Sequence, residues 1–114
     1  MQKYLTDSIK VQLISKSAIL GMVKAIALEL APRNIRVNAV SPGVVQTPMT
    51  DRLFSLIDSK HKDQIIEMHP LGIGKVEDVV PLIRFLLSDG SKWITGQNIK
   101  VDGGYSIKYI HEFA

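Results

Sequence analysis

Cysteine is absent from the 114 residues, which excludes disulfide frameworks and thiolate metal sites and leaves nothing that calls for an oxidising compartment. Aromatics are scarce, and the basic residues are strewn from Lys3 to Lys108 with no run longer than a pair. Nucleic-acid binding asks for a clustered basic face or a row of stacking rings, so the net charge of +3 names no such partner. Long apolar runs are missing too. The longest uncharged stretch, Val37 to Thr50, is broken by Pro42 and Pro48, and the opening MQKYLTDSIK is charged throughout with no apolar core of signal-peptide length. One folding unit in a cytoplasmic chain, without a membrane partner, is the expectation.

What is present has an α/β rhythm. Residues 13 to 31, LISKSAILGMVKAIALELA, are rich in helix formers and apolar over much of the circumference, the pattern of a helix covered from two directions. Pro32 and Asn34 end it. In IRVNAV, residues 35 to 40, Ile35, Val37 and Ala39 alternate with Arg36 and Asn38 at the period of a strand, which SPG closes. Residues 50 to 68 read as one looser helix, a mobile cover. After PLGIG, Asp78 is placed to cap a helix to about Leu87, which puts Pro81 at the third helical position, where its missing N–H has no intrahelical partner anyway. NIKVD, residues 98 to 102, alternates as a second strand, and Gly103 with Gly104 permits a sharp exit. Two strands with three main helices cannot bury their apolar faces alone, because parallel sheets are covered on both sides and need several strands.

Four separated stretches, SKSAILGMVKAIALELAPRNIRVNAVSPG, VVQTPM, PLGIGKVEDVVPLIRFLLSD and WITGQNIKVDGGYS, resemble in order and spacing the C-terminal half of a short-chain dehydrogenase/reductase. The resemblance covers residues 13 to 106, leaving residues 1–12 as a divergent segment and 107–114 as a tail. It implies a partial Rossmann-type fold, the C-terminal half of a doubly wound parallel sheet, from an enzyme family that uses NAD or NADP. In that family the catalytic helix carries a tyrosine four residues before a lysine, a spacing that sets both on one helical face. A phenol with a pKa of about 10 shuttles protons poorly near neutral pH, and a neighbouring ammonium brings it closer to working range. Here Lys16 matches the lysine, which in the family also bonds the nicotinamide ribose, while Gln12 stands at the tyrosine position.

An amide hydrogen-bonds a carbonyl but cannot hand over a proton, so a general-acid contribution of roughly 10²- to 10⁴-fold is missing. Tyr4 does not replace it. Twelve residues before Lys16, it lies about 18 Å away along a continuous helix. By the same resemblance SPGVVQT passes beneath the nicotinamide: Pro42 and Gly43 turn the backbone, Val45 offers main-chain groups to the carboxamide, and the Thr47 hydroxyl bonds carboxamide or phosphate.

His61 and His69, with Asp63 between them, have no recognised metal-site spacing, and both histidines are expected to be solvated. Gly72, Gly74 and Lys75 lack the first glycine and the Ser or Thr of a phosphate loop and read as a helix-entry turn. No glycine-rich loop follows a first strand anywhere in the chain. The sequence therefore implies an incomplete half of an NAD(P)-dependent carbonyl/alcohol reductase, inactive alone, with weak or absent cofactor binding. Its partner would be a complementing N-terminal half or further copies of itself. The competing expectation is a non-catalytic oligomerisation or interaction module, with the broad helix at 13 to 31 and the helix at 78 to 87 as contact surfaces.

Overall fold

The structure, a computed structural model, describes the backbone of residues 2–108 and the side chains of residues 16–108. Its elements are α1 (Gln2–Leu30), β1 (Ala39–Pro42), α2 (Pro48–Leu56), α3 (Ser59–Glu67), α4 (Val76–Leu86) and β2 (Asn98–Val101), and residues 105–108 are again helical. The strands pair in parallel, Ala39 N–H donating to Gln97 C=O at 2.8 Å and Gly43 N–H to Val101 C=O at 3.0 Å, the same offset at both ends. The α/β, partial Rossmann-type reading holds.

The chain forms two compact units. The first contains the chain up to Ala39 together with Lys92–Asn98; the second contains Val40–Ser91 and the chain from Ile99 onward. In the first, α1 ends as its composition demands. Pro32 sits in a short 3-10 turn, and Asn34, at φ 63°, takes the left-handed conformation that a short polar side chain tolerates, its N–H closing on Ala31 C=O at 2.9 Å. The strand expected over 35 to 40 begins only at Ala39. Ahead of it the pairing is mixed: Val37 N–H donates to Thr95 Oγ1 at 3.1 Å while Val37 C=O accepts Gly96 N–H at 2.7 Å, and the Asn38 side chain takes Gln97 N–H while giving its amide to Ile94 C=O.

Ala27 is the one buried apolar side chain among those described, facing Gly96. Ile19, Met22 and Leu28 on the same helix are more than half exposed. The described residues thus do not furnish the two-sided cover that α1 calls for.

In the second unit the single loose helix expected over 50 to 68 is two. Ile57 is extended, and the Asp58 carboxylate accepts His61 N–H at 2.8 Å, stopping α2 and starting α3 afresh. Helix α4 also starts earlier than expected. Lys75, not Asp78, is the N-cap residue, and Asp78 reaches back from the third position to accept Lys75 N–H at 2.7 Å. Pro81 consequently lies inside the helix, where it removes an intrahelical bond.

Gly43 sits where β1 passes closest to the residue after β2, and a Cβ there would stand 2.9 Å from Asp102 Cα. Gly21, in the middle of α1, has open space around it. Gly43→Ala is expected to lower stability by about 1–3 kcal/mol through forced separation of the strands, whereas Gly21→Ala should raise it by about 0.5–1 kcal/mol. Urea denaturation of the two variants checks both signs.

Candidate functional site

The segment that leaves β1, residues 43 to 47, has its polar backbone groups tied down one by one. Val44 C=O accepts Gly74 N–H at 3.0 Å, and Gln46 N–H donates to Gly74 C=O at 2.8 Å, forming a one-residue parallel bridge to the turn before α4. Val45 C=O accepts the Thr50 hydroxyl at 2.6 Å. Val44 N–H donates to His69 Nε2 at 3.1 Å. Among the described residues Val45 N–H has no acceptor. The loop thus presents one unused donor between firmly held peptide planes.

Thr47 has a structural task of its own. As N-cap of α2, with Pro48 at the first helical position, it accepts Thr50 N–H at 3.2 Å. Its hydroxyl also lies 3.1 Å from Thr50 Oγ1. Thr50 has one hydroxyl proton, already given to Val45 C=O, so the Thr47 proton must be the one between the two oxygens. What Thr47 retains for a ligand is a lone pair: it can accept and cannot donate.

His69 overturns the expectation of a solvated ring. It is 4% exposed, with Nδ1 2.8 Å from Ile65 C=O in the last turn of α3 and Nε2 on Val44 N–H. A carbonyl only accepts and an amide N–H only donates, which makes this the neutral tautomer protonated on Nδ1. The Tyr105 ring stacks on it, centroids 4.9 Å apart. The proximity of an acceptor to an otherwise unpaired N–H matters because a buried orphan donor costs about 1–3 kcal/mol. Sequence reasoning missed this residue, and the only signal available was its position directly before PLGIG, the turn that supplies Gly74. His61 is exposed and paired with Asp58 at 2.7 Å, Asp63 is exposed, and no group of three His, Asp or Glu among the described residues could hold a metal.

The remaining predicted residues divide between the units. Lys16 lies in α1 of the first unit with its side chain exposed, while Pro42, Gly43, Val45 and Thr47 belong to the second. Gln12 and Tyr4 fall on the same helix, but their side chains lie outside the described residues. PLGIG is a turn into α4, as expected, with Leu71 N–H on Gly103 C=O at 2.9 Å. None of the helices described is long and apolar enough to cross a membrane.

Beyond β2, Asp102 caps the helical residues 105–108, accepting Gly104 N–H and Ser106 N–H at 3.1 Å each. Burial works to raise this carboxyl, but bonds from the Ser106 side chain and amide, then the Gly104 amide and the charge of Lys100, outweigh it and hold the group below its ordinary value.

A parallel strand pair with helices between its strands places the chain in the α/β class, as part of a Rossmann-type framework. The comparisons narrow it. A family model described as enoyl-(acyl carrier protein) reductase matches residues 3–106. A 3-oxoacyl-[acyl-carrier-protein] reductase, FabG, of Thermotoga maritima is 49% identical over 94 residues, 82% of this chain and 37% of that protein. A cyclohexanol dehydrogenase of Acinetobacter is 38% identical over 95 residues, again 82% of this chain and 35% of the other. Among solved structures, 4-hydroxyisoleucine dehydrogenase in complex with NADH aligns at TM-score 0.75 and 38% identity, over 82% of this chain and 38% of that one. An Agrobacterium tumefaciens protein with bound NADP aligns at TM-score 0.76 and 33% identity over the same shares. The chain belongs to the short-chain dehydrogenase/reductase family and spans little more than a third of the length of these relatives.

The Asp102 cap gives a pH dependence with a definite sign. Its folded value lies below the ordinary 3.8, so its stabilisation is complete above that pH and is lost as the pH falls through the lower folded value. The Gly104 and Ser106 amide resonances should titrate together with a midpoint under 3.8, and Asp102→Asn should abolish that titration.

Proposed function

We propose that this chain carries the nicotinamide-facing part of an NAD(P)-dependent carbonyl/alcohol oxidoreductase and does not by itself complete the reaction. The observation that carries the reading is the pairing of an open donor, Val45 N–H, with a hydroxyl at Thr47 whose own proton is committed elsewhere. A primary carboxamide offers an acceptor oxygen and a donor NH2. Those are the complements of Val45 N–H and the Thr47 lone pair, and the residues present fit the group. A phosphate, which only accepts, does not suit a Thr47 oriented in this way. Pro42 and Gly43 set the loop's departure from β1, and Lys16, by the family resemblance, would donate to the ribose. The nicotinamide, when bound, supplies or takes the hydride. Product oxygen would still need a proton, which Gln12 cannot give.

Cofactor affinity of the chain alone is weak or absent, because no glycine-rich turn is present to hold the pyrophosphate at a helix N-terminus. Its working form is an assembly, either with a complementing N-terminal half or with its own copies. A second reading, a non-catalytic oligomerisation or interaction module, is favoured by the open Ile19, Met22 and Leu28 of α1.

Titration with NADH and NADPH, followed by cofactor fluorescence, is expected to show no saturable binding at micromolar concentrations; a saturating micromolar isotherm would contradict the incomplete-site reading. Gln12→Tyr restores the phenol but not the diphosphate anchor, so the variant is expected to reduce no carbonyl substrate. Turnover by it would refute the same reading from the other side.

A further inference from the structure

We propose that His69 is the positioning residue of the loop at 43 to 47, a neutral-imidazole latch that ties the end of α3 to the floor strand and opens when the ring is protonated. The proposal rests on the cofactor reading only for what the loop is positioned to meet; the latch itself stands on geometry. The ring spans two backbone groups that belong to different elements, Ile65 C=O of α3 and Val44 N–H at the exit of β1. Its bond to Val44 fixes the peptide preceding the one whose N–H is the unused donor. That next peptide is fixed on its other side, through Val44 C=O to Gly74 N–H. Val45 N–H is therefore aimed by two anchors, and His69 is the one made by a side chain that can change its proton count.

Protonation replaces the Nε2 lone pair with an N–H. Two donors then face each other across the distance that held a bond, and Val44 N–H loses its acceptor. The Nδ1 bond to Ile65 survives, so the ring stays with α3 while the floor is released. Among the described residues no titratable or charged neighbour is hydrogen-bonded to either ring nitrogen. Asp78, at the head of α4, and Asp102, after β2, line the same cavity of about 240 Å³ as the ring. Their carboxylates take Lys75 N–H and the Gly104 and Ser106 amides, respectively. Tyr105 meets the ring by its face, and Lys108 Nζ donates to Glu67 C=O in the last turn of α3. Segment 50 to 68, which the family resemblance assigns to the cover over substrate, is thus coupled near its end to the loop at 43 to 47.

Isotope-labelled full-length chain, in whatever assembly it forms and with no cofactor added, tests this by NMR. A scalar coupling across the hydrogen bond between Val44 nitrogen and His69 Nε2 is expected near neutral pH, with the Nδ1–H tautomer. On acidification the coupling should vanish, and the Val44 and Val45 amides should shift in step with the His69 ring and independently of the exposed His61 ring. Two variants separate positioning from mere filling. The Oε1 of His69→Gln can stand near Nε2 and accept Val44 N–H without titrating, so Val44 exchange protection should stay close to that of the unaltered chain and become pH-independent. His69→Asn reaches only to the Nδ1 position, and Val44 protection should fall by about tenfold, the equivalent of one lost hydrogen bond. An Nε2–H tautomer, Val44 amides indifferent to the His69 state, unfolded-chain exchange at Val44, or full protection in His69→Asn would each overturn the proposal. Failure of NADH to bind while these results hold would count against the cofactor reading and leave the latch standing.

Discussion

The loop after β1 must satisfy its peptide groups without a neighbouring strand to do it. Gly74 serves as a one-residue strand, giving its N–H to Val44 and its C=O to Gln46. Among the described residues that leaves Val45 N–H without a protein acceptor, and Val44 N–H and Val45 C=O in need of partners of another kind. A histidine and a threonine supply them. The burial of His69 and the placing of the Thr50 hydroxyl against the loop answer this one requirement. It also accounts for a buried polar ring: the alternative is an orphaned N–H at about 1–3 kcal/mol.

Thr47 shows how structural and ligand-directed roles share one hydroxyl. As a helix cap it must accept Thr50 N–H, and as the neighbour of Thr50 Oγ1 it must donate. Both requirements come from helix α2 and not from any cofactor. Yet together they leave a single lone pair with a fixed direction, which narrows what the loop can recognise. Preorganisation arises here as a by-product of capping, and the entropy of orienting the hydroxyl is spent in folding rather than in binding.

Local patterns made much of this legible in the sequence. Pro32 with Asn34 marks the end of α1, NIKV reads as a strand, and the spacing of the four matching stretches identifies the family. The misses share one cause. The Asp58 cap, the Lys75 start of α4 and the delayed start of β1 each turn on which of two competing hydrogen bonds forms, and a linear pattern does not contain that choice. Asp78 illustrates it well: the same carboxylate can cap from the first position or reach back from the third, and composition is identical in both cases. His69 was harder still, because its acceptor role depends on a partner 25 residues away. A lone histidine carries no mark of burial.

The floor geometry is self-supporting, and that limits what it says about catalysis. Among the described residues, the bonds that shape residues 43 to 47 are made within the second unit, to Val101, Gly74, His69 and Thr50. Hydrogen bonds within the loop's own unit are enough to hold Val45 N–H open, whatever residue stands at position 12. The well-formed loop therefore argues for descent from a nicotinamide-binding framework, while the amide at position 12 argues about turnover. Peptide satisfaction shapes the loop and proton affinity governs what the residue at position 12 can do, so the geometry of the one carries no information about the other.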